Sequence, residues 1–174
     1  AQGDACTAYI FGRRTEGLDQ RLLVARVPEQ TLDRVTTWQF YDGKDWVADA
    51  TAAAPLCSGL PSEFTIQRVR IDGSDRFVLI QSENMLGTKI LARTARSPIG
   101  PWSEPATLFT VPDPATDKRL ITYAAKGHAH LSRPDELLIS YVINTTDFNQ
   151  MLDDATLYRP RFIRVPRSKL PIAP

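Results

Sequence analysis

The chain reads as all-β, as part of a β-propeller. Two observations predict this. A strand–loop–strand unit recurs three times along the 174 residues, and no long stretch carries the 3.6-residue hydrophobic period of a helix. The 13 prolines point the same way, because a proline removes a helix hydrogen bond and clashes with the preceding turn.

Each copy has a Gly or Pro turn, an apolar strand ending in polar residues, a loop, and an apolar strand that ends in Arg and runs into Pro. The first copy is turn Gly3-Asp4, strand "TAYIFGRR" (7–14), connection "TEGLDQ", strand "RLLVARVP" (21–28). The second is turn "DGSD" (72–75), strand "RFVLIQSE" (76–83), connection "NMLG", strand "TKILARTARSP" (88–98). The third is turn "RPDE" (133–136), strand "LLISYVIN" (137–144), a longer connection "TTDFNQMLDDATLY", strand "RPRFIRVP" (159–166). The interval is roughly 60–70 residues, above the ~40–50 of familiar propeller repeats but suited to a blade with decorated loops.

Elements between the copies fill in the blades. "TTWQFYDGKDWV" (36–47) and "PWSEPATLFTV" (101–111) read as outer strands, each with Trp. "EFTIQRVRI" (63–71) and "TYAAKGHAHLS" (122–132) read as innermost strands. In the latter Ala125, Gly127 and Ala129 alternate with Lys126, His128 and His130, as in a strand packed near an axis. The chain is then one domain, 1–174, with antiparallel four-stranded blade units at about 1–57, 61–115 and 120–170. Two to three blades do not close a ring, and open strand edges invite pairing. The expectation is the C-terminal portion of a larger propeller, closed by an upstream half or a second copy.

Composition bounds the function. A net charge of +1, from 21 basic and 20 acidic residues, gives no field for nucleic acid or an anionic membrane, and the apolar runs are too short to span a bilayer. Neither partner is expected. Cys6 and Cys57 match no zinc or redox spacing, which leaves a disulfide or two buried thiols; a bridge is expected, and with it a secreted or extracytoplasmic setting. Asn144-Thr145-Thr146 also matches a glycosylation acceptor.

In a propeller blade the loop joining strands two and three returns to the face where the innermost strand begins. The polar connections therefore share a rim with the inner-strand starts. That places Ser82, Glu83 and Asn84 beside a pocket, with Arg13, Arg14 and Glu16 from the first copy. Asn144, Asp147 and Asn149 come from the third, and Glu63, Gln67, Lys126 and His128 from inner strands. Carboxylates, amides and cations together suit sugar hydroxyls, which both donate and accept. Glu83 is the candidate general acid, against a solvated loop Glu; catalysis would need a second carboxylate across the pocket. Candidate substrate-binding residues are Arg13, Arg14, Gln67, Asn84, Lys126, His128, Asn144 and Asp147. His128 is equally readable as paired to a blade neighbour, and the Arg pair as solvated. "HAH" lacks a third ligand, so no metal and no cofactor is expected. Trp38, Trp46 and Trp102 read as packing residues.

Three stretches carry a resemblance. "ILARTARSPIGPWSEP" (90–105) resembles a segment of arabinanase- and levansucrase-type propellers, including glycoside hydrolase family 43. "TYAAKGHAHLSRPDELLISYVINT" (122–145) and "AYIFGRR" to "LLVARVP" (8–28) resemble a bacterial family, formerly a domain of unknown function, that includes endo-D-arabinanases. That family commonly reads Lys-Ala-His-Pro where this chain has Lys126-Gly127-His128-Ala129. The resemblance implies a five-bladed propeller and a glycoside hydrolase acting on arabinan-like polysaccharide, with catalytic carboxylates drawn partly from an N-terminal half. The alternatives from the residues are a non-catalytic glycan-binding propeller and a protein-interaction scaffold, the polar rim disfavouring the scaffold.

Overall fold

The computed structural model describes residues 6–83 and 87–172 and is built of three antiparallel sheets. The chain divides into two compact units, Ala1–Gly59 with Pro98–Gly100, and Leu60–Ser97 with Pro101–Pro174.

The first unit holds a sheet of order β1-β2-β3-β4, from β1 (Thr7–Glu16), β2 (Asp19–Pro28), β3 (Gln39–Tyr41) and β4 (Trp46–Val47). Most of "TEGLDQ" is strand: Glu16 pairs with Asp19, and only Gly17-Leu18 turns. Gly17 sits at φ +63°, a conformation that a side chain penalises. The expected outer strand at 36–47 is broken by the Asp42-Gly43-Lys44-Asp45 turn. There the Asp42 carboxylate accepts from the N–H groups of Lys44 at 2.8 Å and Asp45 at 2.6 Å. Those bonds, Asp45's first, hold the Asp42 carboxyl below its ordinary pKa.

The expected Cys6–Cys57 bridge is not made. Cys6 carbonyl accepts from Glu29 N–H beyond one end of β2, whereas Cys57 carbonyl accepts from Leu22 N–H near the other. Seven residues of extended chain separate those positions by about 23 Å, and a disulfide needs Cα atoms within about 7 Å.

The second unit holds two sheets. One has order β5-β6-β7-β8: β5 (Phe64–Ile71), β6 (Ser74–Ser82), β7 (Lys89–Ala95) and β8 (Ala106–Thr110). The other has order β11-β10-β9: β9 (Leu120–Gly127), β10 (Glu136–Thr145) and β11 (Pro160–Pro166). The β5–β6 turn is Asp72-Gly73, with φ +47° and +77°, the residues that a two-residue hairpin favours. β10 alternates strictly, burying Leu137, Ile139, Tyr141 and Ile143. These pack with Val69, Val78, Ile80, Ile90 and Ala92 of the other sheet in one apolar core. β6 is buried at every residue from Val78 to Ser82, so it is covered on both faces and period two is lost. Among the described residues two short α-helices, α1 (Asp113–Thr116) and α2 (Phe148–Asp153), and several 3₁₀ turns break the all-strand expectation. Asp147 starts α2 by accepting from the N–H groups of Asn149 and Gln150.

Candidate functional site

β9 is an edge strand, and its outward N–H groups need partners. The neighbouring sheet supplies them through side chains. Ala125 N–H donates to Ser82 Oγ at 3.1 Å, Gly127 N–H to Thr65 Oγ1 at 2.8 Å, and Ala129 N–H to Gln67 Oε1 at 2.7 Å. Gln67 Nε2 returns a bond to the Gly127 carbonyl at 2.7 Å. The two sheets are thus stitched side chain to backbone, with Ile80 Cγ1 3.1 Å from where a Cβ at Gly127 would stand.

Towards the start of β9 this seam opens into a pocket of about 290 Å³. Pro61, Ser62 and Glu63 before β5, Ser82 at the end of β6, Ile121, Tyr123 and Ala124 of β9, and Asn144 of β10 line it. A β-bulge shapes it. Ser140 pairs with Lys126 and Val142 with Tyr123, so Tyr141 alone faces both Ala124 and Ala125. Ala124 takes φ +57°, unusual for a residue with a Cβ. The extra residue inverts the alternation: Thr122, then Ala125 and Gly127, are buried. Ile121, Tyr123 and Ala124 are thereby left to the pocket. Behind the bulge, burial pushes the Tyr141 phenol above its ordinary pKa, opposed by Arg161.

Polar groups in the pocket are oriented by the fold. Asn144 Nδ2 donates to the Tyr123 hydroxyl at 3.1 Å, and Asn144 Oδ1 accepts from Thr145 N–H at 2.8 Å. Glu63 Oε1 accepts from Lys126 Nζ at 3.4 Å. An aromatic ring, an amide, two serines and a carboxylate–ammonium pair can meet one apolar face and several hydroxyls of a small polar ligand.

The inner-strand starts and the strand-two ends do share a rim in this unit. Of the residues expected from sequence, it gathers Glu63, Ser82 and Asn144, with Lys126 touching through its ion pair. Gln67 spends both ends of its amide on backbone. Glu83 pairs with Lys89 at 3.3 Å and does not line the pocket. His128 Nε2 meets Ser140 Oγ at 2.7 Å. β9 ends at Gly127 and residues 129–131 form a 3₁₀ turn, so His130 does not continue the strand face as expected. Asp147 caps α2 and binds Arg119 at 2.9 Å. Arg119 also binds Asp117 at 2.7 Å, and that bond first of all holds the Asp117 carboxyl far below its ordinary pKa. Arg13 and Arg14 belong to the first unit. Arg13 donates to Gln20, and Arg14 to Glu16 and the Ala53 carbonyl. Asn84 lies outside the described residues. Pro61, Ser62, Ile121, Tyr123 and Ala124 were not anticipated; for Tyr123 and Ala124 the reason is that the alternation read along 125–130 gives no sign of the bulge just before it. Among the described residues no group of three or more His, Cys, Asp and Glu is placed to hold a metal ion.

Fold and site define an all-β protein of antiparallel sheets with a pocket between two of them, largely apolar in surface and bordered by Glu63, Ser82 and Asn144. A family model described as "Domain of unknown function (DUF5005)" matches residues 1–167, and the chain belongs to that family. It is 30% identical over 105 residues, 59% of this chain, to the "Notoamide biosynthesis cluster protein J′" of Aspergillus versicolor. A solved structure described as "a putative hydrolase from Bacteroides ovatus ATCC 8483" matches 90% of the chain at TM-score 0.63 and 24% identity, a likeness of fold. The chain spans 28% and 41% of the lengths of these two relatives.

Proposed function

We propose that this chain is part of a carbohydrate-active β-propeller of the five-bladed type and that the pocket between β5, β6 and β9 receives a sugar ring. The observation that carries the reading is the pocket's mixture of one aromatic face, Tyr123, with oriented acceptors and donors from Asn144, Ser82 and the Glu63–Lys126 pair. Sugars offer C–H faces for the first and hydroxyls for the rest.

In this reading the complete protein is a secreted glycoside hydrolase on arabinan-like polysaccharide, and its remaining blades come from further polypeptide. Glycoside hydrolysis takes two carboxyl groups roughly 5–10 Å apart on either side of the bond. Among the described residues lining the pocket Glu63 is the carboxylate, so the second must come from those further blades. The hydrolase description of the Bacteroides protein is consistent with this. Assaying the full-length protein on arabinans and galactans for new reducing ends tests it; no release from any glycan refutes the hydrolase.

The placement of Glu83 against Lys89, away from the pocket lining, favours a second reading, a glycan-binding propeller without turnover. It predicts saturable oligosaccharide binding that Tyr123→Ala and Asn144→Ala abolish, with no product formed.

A further inference from the structure

The first unit carries a concavity of its own, about 240 Å³, lined by Thr7, Tyr9, Arg26, Val27, Pro28 and Gln39. Strand pairing builds it. Tyr9 faces Arg26 and Arg26 faces Gln39, so the three form a row across β1, β2 and β3. Trp46 lies alongside, its ring centroid 6.1 Å from that of Tyr9 and 5.5 Å from that of Tyr41.

At the centre is Arg26, half-buried, with its guanidinium carbon 4.7 Å from the Trp46 ring centroid. Its Nε donates to Gln39 Oε1 at 2.9 Å. The ring contact and the hydrogen bond together hold the guanidinium at two points. Both Nη groups are left without an acceptor among the described residues. A planar cation held in this way, partly stripped of water and with its terminal N–H fork unused, matches a carboxylate that accepts two parallel bonds. The walls add a second requirement. Tyr9 offers an aromatic ring, while Thr7 and the Gln39 amide nitrogen offer hydroxyl-binding groups, and the volume suits a single ring.

We propose that this concavity binds a carboxylated sugar, a uronate, with its carboxylate on Arg26 and its ring against Tyr9. The site shares no lining residue with the pocket of the second unit and does not rest on that reading. Arg26 is the specificity-determining residue, because a neutral sugar leaves its fork unsatisfied and a bare carboxylate leaves the ring wall empty.

The test is a titration of the full-length protein, selectively labelled at tryptophan and arginine, with glucuronate, glucose and acetate at constant ionic strength, following the Trp46 indole and Arg26 Nε–H resonances. Glucuronate is expected to shift both saturably, with a dissociation constant on the order of 1 mM. Glucose and acetate should bind roughly tenfold more weakly or worse. Arg26→Lys keeps the charge and stem but lacks the planar fork, and should weaken glucuronate by roughly tenfold with the remaining spectrum unchanged. Equal affinity for glucose or for acetate overturns the proposal, as does an absence of shifts at these two groups or unaltered binding in Arg26→Lys. Should that variant not fold, the three ligands on the wild-type chain decide by themselves.

Discussion

Replacing Gln67 by Met removes both ends of the clamp on β9 while keeping nearly the same length and volume. The structure sets the magnitude. Ala129 N–H loses its acceptor at 2.7 Å and the Gly127 carbonyl loses its donor at 2.7 Å, at a half-buried seam where water reaches poorly. A satisfied neutral hydrogen bond contributes about 1 kcal/mol net, and a group left unpaired on partial burial costs about 1–3 kcal/mol. Two such losses, at the lower end because the seam is half-buried, come to about 2–4 kcal/mol. In a chain of this size that lowers Tm by on the order of 10 °C. Urea unfolding followed by tryptophan fluorescence and by circular dichroism reads the change, with coincident transitions as the check on two-state behaviour. Thr65→Val removes the neighbouring acceptor, that of Gly127 N–H, and should cost about 1–2 kcal/mol. The double variant should cost measurably more or less than the sum, because both bonds hold one strand edge. A loss below about 0.5 kcal/mol for Gln67→Met would refute the clamp and return Gln67 to the candidate ligand contacts.

Three other outcomes are expected. Ala124→Val places a β-branched residue at φ +57° and should destabilise by roughly 2 kcal/mol, whereas Ala124→Gly should be neutral or slightly stabilising, read as urea midpoints. Asp117 has a folded pKa depressed below its unfolded value, so its contribution is present above about pH 4 and is lost as pH falls further; Asp117→Asn should flatten the acid limb of a Tm-against-pH profile in that window. Glu83→Gln breaks a partly exposed ion pair with Lys89 and should cost less than about 1 kcal/mol while leaving oligosaccharide affinity unchanged; a large loss of affinity would place Glu83 in the site after all.

The strand content and the hairpin turns were legible locally. β5 and β6 with a turn in "DGSD", which the structure narrows to Asp72-Gly73 so that Ser74 and Asp75 join the strand, and the alternation of β10, follow from period-two patterning and turn chemistry, which depend on neighbours in sequence. The shared rim of Glu63, Ser82 and Asn144 followed too, since antiparallel meanders return the second loop to the side where the first strand begins. What the sequence could not decide is where one strand meets another sheet. The bulge at Ala124 is invisible in "TYAAKG" because its cause is non-local: Ala125, Gly127 and Ala129 N–H groups find acceptors on Ser82, Thr65 and Gln67, about 40–60 residues away in the chain. One extra residue then turns Tyr123 into the pocket, and the 3₁₀ turn at 129–131 takes His130 off the strand. Gln67 looked like a free polar group for the same reason, whereas Asp147 caps α2 through Asn149 and Gln150, its neighbours in sequence. Whether an amide or carboxylate serves a ligand or an orphaned backbone N–H depends on which backbone groups the tertiary fold leaves unpaired beside it, and only the packed sheets determine that.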